Sequence, residues 1–399
     1  MIPTKTPKIR RPTAWCRNGP IRLACVDHLA TQDCGRGLYR ALAQTGEVDL
    51  TLVIPPLWRD NFRDIPADPW NRSDPFQLEI LPITFPGKSN RCLHLGLSRL
   101  LRRLRPDVVF VQSEPEGLLL CQILLIRALF QLDFKVIFVT WRNIHYSRFG
   151  IPYKFGWVYG CAEYFGLRYG DHCFSFNAAG RETLGKRGFY AIDVIPPAID
   201  TEFFRPTDGR AVRNALGLHR FTIGYFGRFV TEKGVGLLLK AVAGLEQPVQ
   251  VLLVGNGPAR EEWMEQAQHL KIANRVIHKP SILRSEMPVH ICACNAIVLP
   301  SYATPKWKEQ FGRIIVEAMA CGVPVVGARS GEIPNVIGDA GLVFSEKNVS
   351  DLRGCLRRLI ENSSLKQQLS LLGRARAEKK YSCEIVASAW LRVIRDLLN

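Results

Sequence analysis

The stretch Tyr302–Ile333, YATPKWKEQFGRIIVEAMACGVPVVGARSGEI, decides how the rest of the chain is read. Ahead of it, NAIVLPS reads as a buried strand ending at Pro300 and Ser301, and VPVVGA from Val323 to Ala328 reads as a second. Between them the pattern predicts a helix that starts near Phe311 and Gly312. It stops at Gly322, a residue suited to a left-handed C-terminal cap. The unit is strand–helix–strand, with Glu309 in the loop ahead of the helix and Glu317 inside it. Amides at the helix start, from Gly312 to Ile314, lack partners within the helix and form an anion site that the helix dipole strengthens. Gly312 has no Cβ, so a phosphate can come close to the backbone. Glu317 lies about 7.5 Å further along the axis. A carboxylate there can accept two ribose hydroxyls, while Glu309 reaches a group beyond the phosphates. The order nucleotide, pyrophosphate, sugar follows. The plainer alternative makes both glutamates solvated helix-end charges.

Glu309, seven residues, Glu317, then AMACGVPVV and SGEIP resembles the C-terminal domain signature of glycosyltransferase family 4, retaining enzymes of the GT-B fold. GYFGRFVTEKG (Gly224–Gly234) and VLLVGNGP (Val251–Pro258) extend the resemblance in that family's order, over roughly residues 220 to 345. The resemblance implies an α/β protein with two Rossmann-like doubly wound domains facing a central cleft. It implies retaining transfer of a sugar from a nucleotide-sugar donor to an acceptor hydroxyl, in cell-surface polysaccharide or glycolipid synthesis. Because GRFVTEKG resembles the family's phosphate-binding loop, Arg228 and Lys233 are expected on the pyrophosphate and Glu309 at the sugar. Gly227, Gly255, Gly257, Phe311, Gly312, Arg313 and Glu317 are expected along the donor. In such a mechanism the leaving phosphate takes the acceptor proton, so no carboxylate base is assigned. The nucleotide-sugar is a co-substrate, and no resident cofactor is expected.

No Asp-x-Asp triplet or cluster with metal-ligand spacing occurs in the sequence, so pyrophosphate charge falls to Arg228, Lys233 and backbone amides. This predicts a metal-independent transferase. Two other classes stay open: a related GT-B enzyme, such as a nucleotide-sugar epimerase or a phosphorylase, and a non-catalytic nucleotide-sugar-binding protein.

At 399 residues the chain exceeds one ordinary core and suits two domains. Hydrophobic content of 47% against 22% charge excludes a disordered chain. The net charge of +17 is spread over both halves, which suits nucleotides or anionic lipid surfaces. No nucleic-acid-binding module is recognisable. The 12 cysteines include no C-x-x-C pair, and most lie in apolar runs, so a reduced, cytoplasmic protein is expected. Residues 1–20, basic and Pro-rich, read as a loose tail without a secretory signal's hydrophobic core. The longest apolar run, Gly117–Phe130, is interrupted by Gln122 and Arg127 and is too short to span a bilayer. It reads as a buried helix, and any membrane contact is expected to be peripheral.

The first domain, residues 21–197, is expected to hold the acceptor. Its first strand, Ile21–Asp27, leads through HLATQDCGRG into a helix from about Leu38, placing Gly35 and Gly37 at the cleft. Further strands are predicted at Asp49–Ile54, Leu78–Ile83, Asp107–Val111, Lys135–Thr140 and from Ala191. The strand KVIFVT ends in Thr140-Trp-Arg-Asn143. Many family members place a donor-contacting histidine there; this chain has Arg142 and Asn143, with His145 slightly later. Ile151–Asp171 is aromatic and basic, and reads either as a core-packed helix or as an interfacial patch. Pro196 and Pro197 mark the boundary. The second domain, residues 198–382, carries the nucleotide-sugar site, and the amphipathic segment 383–399 is expected, by resemblance, to cross back to the first. The acceptor is a saccharide or a lipid-linked molecule, met in the cytoplasm or on the cytoplasmic membrane face.

Overall fold

Strands such as VVFV (Val108–Val111) and VQVLLV (Val249–Val254) carry apolar side chains on both faces, so each must be covered from two sides. The computed structural model, which describes residues 19–59, 64–146, 155–280 and 282–399, answers this with two parallel sheets sandwiched between helices. The basic segment through residue 18, and Tyr153 and Lys154 of the aromatic stretch, lie outside the described residues.

The first sheet runs Gln77–Ile80, Val48–Ile54, Ile21–Val26, Val108–Val111, Lys135–Thr140, His172–Ser175, Ile192–Val194. Counted along the chain, the order is third, second, first, fourth, fifth, sixth, seventh. The second sheet runs Val276–Lys279, Val249–Val254, Phe221–Phe226, Ala296–Leu299, Val325–Ala328, Leu342–Phe344, with the same reversal beside its first strand. That reversal opens a crevice at the carboxyl ends of the first and fourth strands, the ligand edge of a doubly wound sheet. Both domains are therefore Rossmann-like, the α/β architecture expected.

One face of the first sheet packs against the helix Gly37–Gln44 and the C-terminal helix Cys383–Leu398. Trp390 of the latter lies 4.3 Å from the Phe110 ring and 4.9 Å from Phe174. The chain thus ends on its first domain, and a backbone bridge between Ile199 and Ser382 joins its two crossings. The other face is covered by the helices Leu97–Leu104, Leu118–Leu129 and Gly156–Tyr169.

Several elements differ from the sequence expectation. The strand His172–Ser175 was not foreseen: four residues following an aromatic helix carry too little alternation to stand out. The hairpin of Leu57–Arg59 with Asp64–Pro66 is equally short and flanked by prolines. Gly117–Phe130 forms the helix Leu118–Leu129, but Leu125, Leu129 and Phe130 are exposed, so it is not a wholly buried one. Ile151–Asp171 divides: Tyr159 and Ala162 of its helix are buried, whereas Phe155, Trp157 and Tyr164 face solvent. All eleven described cysteines are free thiols.

His28 and His94 are buried as neutral rings, and burial pushes their pKa down to about 3 and about 4. The unfolded chain titrates near 6.5, so on acidification it binds these protons first and folded stability falls. At pH ~5, His94 alone should account for roughly 2 kcal/mol of that loss. Urea unfolding of the wild type and His94→Gln at pH 7 and pH 5 should show the variant losing less by about that amount. An unchanged pH dependence would refute the assignment.

Candidate active site

The loop after the first strand of the second sheet turns at Gly227 and carries Arg228 and Lys233. It runs beside the loop after the second strand so closely that a Cβ on Gly255 would lie 2.0 Å from the Gly227 carbonyl oxygen. A Cβ on Gly257 would meet the Phe229 carbonyl oxygen at 2.3 Å. Both glycines are thus required by loop-on-loop packing, which fixes where Arg228 emerges. Tyr225 Oη, donating to the Arg228 carbonyl at 2.7 Å, pins the same turn, and the Arg228 side chain is exposed at the cavity mouth.

The loop after the fourth strand supplies the carboxylates. Glu309 is 7% exposed, and its Oε2 accepts from Lys233 Nζ at 2.6 Å and from Ser301 Oγ at 2.9 Å. Lys233 Nζ also sits 4.9 Å from the centre of the Trp307 ring, a cation–π contact. The helix that follows spans Arg313–Ala320, with Gly312 at its N-cap and φ at 83°. A Cβ on Gly312 would lie 2.9 Å from Leu299 Cδ2. The left-handed backbone and the packing on Leu299 thus demand the glycine on their own account, whatever room its missing Cβ leaves for a phosphate. Phe311 is buried, with its ring edge-on to Tyr381.

Glu317, one turn inside the helix, is 4% exposed. Its Oε1 meets Arg284 Nη2 at 3.2 Å and Arg313 Nε at 3.7 Å. Arg313 Nε is shielded from solvent without a hydrogen-bond partner. Burial, and then the neighbouring Arg284 charge, pull the Arg313 pKa down to about 10. Together Arg228, Lys233, Glu309, Gly312 and Glu317 border a cavity of about 530 Å³, as do Gly227, Gly255 and Phe311.

A second cavity of about 280 Å³ lies at the switch point of the first sheet. Gly35 and Gly37 border it. A Cβ on Gly37, however, would strike the Asp200 carboxylate at 2.7 Å, so its absence also serves the packing of the linker. Asp27 accepts from Tyr39 Oη at 2.6 Å and from the Leu29 amide at 2.7 Å, and burial raises its pKa. Trp141, Arg284 and Arg313 border both cavities, which makes one track across the interdomain cleft.

The loop after Lys135–Thr140 reaches over to the second domain. Asn143 Nδ2 donates to the Glu309 carbonyl at 3.1 Å and the Lys308 carbonyl at 3.3 Å, and Asn177 Nδ2 donates to the Gln310 carbonyl at 3.2 Å. Tyr146 Oη adds a bond to the Lys306 carbonyl at 3.2 Å. Asn143 therefore grips the Glu309 loop from outside. His145, placed slightly after the family's donor-contacting histidine, does not join it: the residue is exposed and borders neither cavity. Arg142 is buried, paired with Glu116 at 2.7 Å and with Glu163. Beside it, burial and the Glu116 charge push Glu114 up to about 7.

Sequence reasoning missed Arg284, Trp141, Asn177, Ser301 and Asp27. Ser301 and Asp27 end strands at the ligand edge, and Asn177 caps the helix Ala178–Gly185 after another, so position alone could have raised them. Arg284 lies in a short turn and meets Glu317 across 33 residues; no local pattern marks it.

The Lys233–Glu309 pair is testable without any substrate. Lys233→Met leaves a shielded carboxylate with Ser301 alone, and urea unfolding should show a loss of roughly 3–5 kcal/mol. Adding Glu309→Gln should return a substantial part of it. A double variant no more stable than Lys233→Met would show that the two charges are not coupled.

Residues 211–376 match the family of glycosyl transferases group 1. The D-inositol 3-phosphate glycosyltransferase of Mycobacterium marinum is 34% identical over 197 residues, covering 47% of this chain and 41% of that protein. Its counterpart in Mycobacterium leprae is 36% identical over 182 residues, covering 43% and 41%. The chain thus spans about two fifths of the length of the curated relatives it matches. Over nearly the whole chain the fold is that of Anabaena Alr3699/HepE in complex with UDP, with a TM-score of 0.67, 17% identity and coverage of 93% and 98%. Sucrose-phosphate synthase from Thermosynechococcus elongatus matches with a TM-score of 0.69, 20% identity and coverage of 94% and 99%. The second domain therefore resembles the group 1 glycosyltransferases over residues 211–376, and the fold over nearly the whole chain is the one those neighbouring structures share.

Proposed function

We propose that this chain is a retaining, metal-independent glycosyltransferase that moves a sugar from a nucleoside diphosphate sugar to an acceptor hydroxyl. The observation that carries the reading is the convergence of Arg228, Lys233, Glu309 and Glu317 on one cavity at the switch point of a doubly wound sheet. Two cations stand where a diphosphate leaving group would gather charge, and a shielded carboxylate stands beside them. Glu317 engages its arginines through Oε1. Its other oxygen is the one offered to a ribose diol.

Lys233 is shared between Glu309 and the β-phosphate in this reading. As the glycosidic bond breaks, positive charge develops at the anomeric carbon and negative charge at the leaving oxygen. Glu309 then gains attraction to the sugar, and Lys233 to the phosphate. The leaving phosphate accepts the acceptor's proton, so the chain's task is positioning and charge stabilisation. Asn143 and Asn177 hold the Glu309 loop in place from the first domain. The acceptor, a saccharide or lipid-linked molecule, occupies the first-domain side of the track. The enzyme works on cell-surface polysaccharide or glycolipid, and meets its acceptor peripherally at a membrane.

Neighbouring structures hold UDP and UDP-glucose, which makes uridine donors the first to try. In a thermal-shift series, nucleoside diphosphate should stabilise the chain more than monophosphate, and turnover should persist in EDTA. Loss of turnover on chelation, restored by magnesium or manganese, would overturn metal independence. Donor consumed to an isomeric nucleotide-sugar without acceptor would identify an epimerase instead.

The two glutamates should separate kinetically. Glu317→Ala should raise the donor KM by an amount equivalent to roughly 1.5–3 kcal/mol. Glu309→Gln keeps the shape but removes the charge, so kcat should fall by about a hundredfold or more while donor binding persists. Normal turnover by Glu309→Gln would remove Glu309 from the reacting sugar.

A further inference from the structure

The outer face of the first domain carries a surface that the proposed chemistry does not use. The helices Leu97–Leu104, Leu118–Leu129 and Gly156–Tyr169 lie on the same face of the first sheet, and their inner sides fill the core there. Along the third helix, Trp157, Cys161, Tyr164 and Arg168 are all exposed at intervals of three or four residues, which makes one stripe. Trp157 is 63% exposed and Tyr164 54%. On the second helix, Leu125 and Leu129 share a face one turn apart, Leu129 at 75% exposure, with Phe130 following. The first helix presents Arg99, Arg102 and Arg103, with Arg105 just beyond its end.

These belts adjoin. Arg102 lies 4.7 Å from the centre of the Phe130 ring, and Arg168 lies 5.5 Å from that of Tyr169. Cys121 of the second helix contacts the Ala162 carbonyl of the third. The result is a single surface on which exposed apolar and aromatic side chains of the second and third helices lie between the arginines of the first helix and Arg168 of the third. Every charge exposed on the three helices is an arginine. Trp, Tyr, Leu and Arg together suit the headgroup layer of a bilayer, where rings sit at the boundary and arginines reach the phosphates. The net charge of +17 supplies the complementarity to an anionic lipid surface. No described helix is long and apolar enough to cross a membrane, so this surface would lie on a bilayer.

We propose that this three-helix face docks the protein on an anionic membrane, with Leu125, Leu129, Trp157 and Tyr164 entering the headgroup layer and Arg99, Arg102, Arg103 and Arg168 binding lipid phosphates. The inference rests on the reading above that the acceptor is met at a membrane. The crossover from Thr140 places the Trp157 end of the third helix at the carboxyl edge of the sheet, the edge on which Trp141 and the cleft lie. A lipid-borne acceptor would then need to rise only from the rim of the docked face to the first-domain cavity.

Co-sedimentation of the full chain with vesicles of phosphatidylcholine, with and without phosphatidylglycerol, tests this at low and physiological salt. Binding should require phosphatidylglycerol and weaken as salt rises. The triple variant Arg99→Gln, Arg102→Gln, Arg103→Gln should bind about tenfold to hundredfold more weakly. Leu129→Ser with Trp157→Ser should lose the binding that survives at physiological salt. A control that removes the same charge from the second domain, Lys240→Gln, Lys379→Gln, Lys380→Gln, should bind like the wild type. Equal weakening by the control would overturn the proposal in favour of diffuse attraction. Absence of binding to either vesicle would overturn it too, and would leave a protein partner as the occupant. Nucleoside diphosphate thermal shifts on the same variants keep the two readings apart. If the wild type shows no shift with any diphosphate yet docks on the vesicles, the donor reading fails and this one stands. If the shifts are normal and docking is absent, the reverse holds.

Discussion

A carboxylate shielded from water is tolerated only when something replaces its hydration, and Glu309 imposes that condition on the second domain. Lys233 and Ser301 satisfy its side chain from within the second domain. Its carbonyl is held twice more, by the Glu332 amide at 3.1 Å and by Asn143 from the first domain. Each supporting group needs its own scaffold: the loop through Lys233 needs its turn at Gly227, and the Glu332 amide needs the tight loop at Gly331. Asn143 needs the buried Arg142 cluster beneath it. Through its carboxylate and its carbonyl together, Glu309 thus ties four loops and two sheets.

The arginines at the junction invert that logic. Arg284 and Arg313 are like charges on either side of one glutamate, and burial, with their mutual repulsion second to it, lowers the Arg313 pKa. Glu317 compensates them only partly, because a single oxygen meets both. A site with surplus positive charge in a partly dry cleft attracts anions without needing to reshape itself. The middle of the track between the cavities therefore sets two arginines against one glutamate.

How much of this could be read in the sequence depended on contact distance along the chain. The strand–helix–strand unit around Glu309 and Glu317 is local, so its periodicity and caps were legible. The reason for Gly312 was not. A glycine's identity reveals that a Cβ is unwelcome but never what it would have met, here Leu299. Arg142, Asn143 and His145 are consecutive or nearly so, yet one is buried in an ion cluster, one spans the domains and one faces solvent. Those fates depend on partners such as Glu163 and Lys308, which no local pattern brings together. Short strands like His172–Ser175 fell below the length at which alternation can be recognised.

The chain passes between its domains twice, at Ile199 and again at Ser382, and the two passages are bridged backbone to backbone. A single covalent tether would let one domain swivel about any axis; two adjacent ones resist twisting and sliding. They leave rotation about the line through both as the soft motion. The Ile199 and Ser382 passages therefore act as a bending joint with essentially one degree of freedom. Opening it separates the Asn143 and Asn177 side from the Glu309 loop while leaving each sheet intact. The final helix ends beside Glu47, with Arg395 paired to it at 2.5 Å, at the sheet edge opposite the cleft. An attachment at the C-terminus would consequently ride on the back of the first domain, clear of the moving gap.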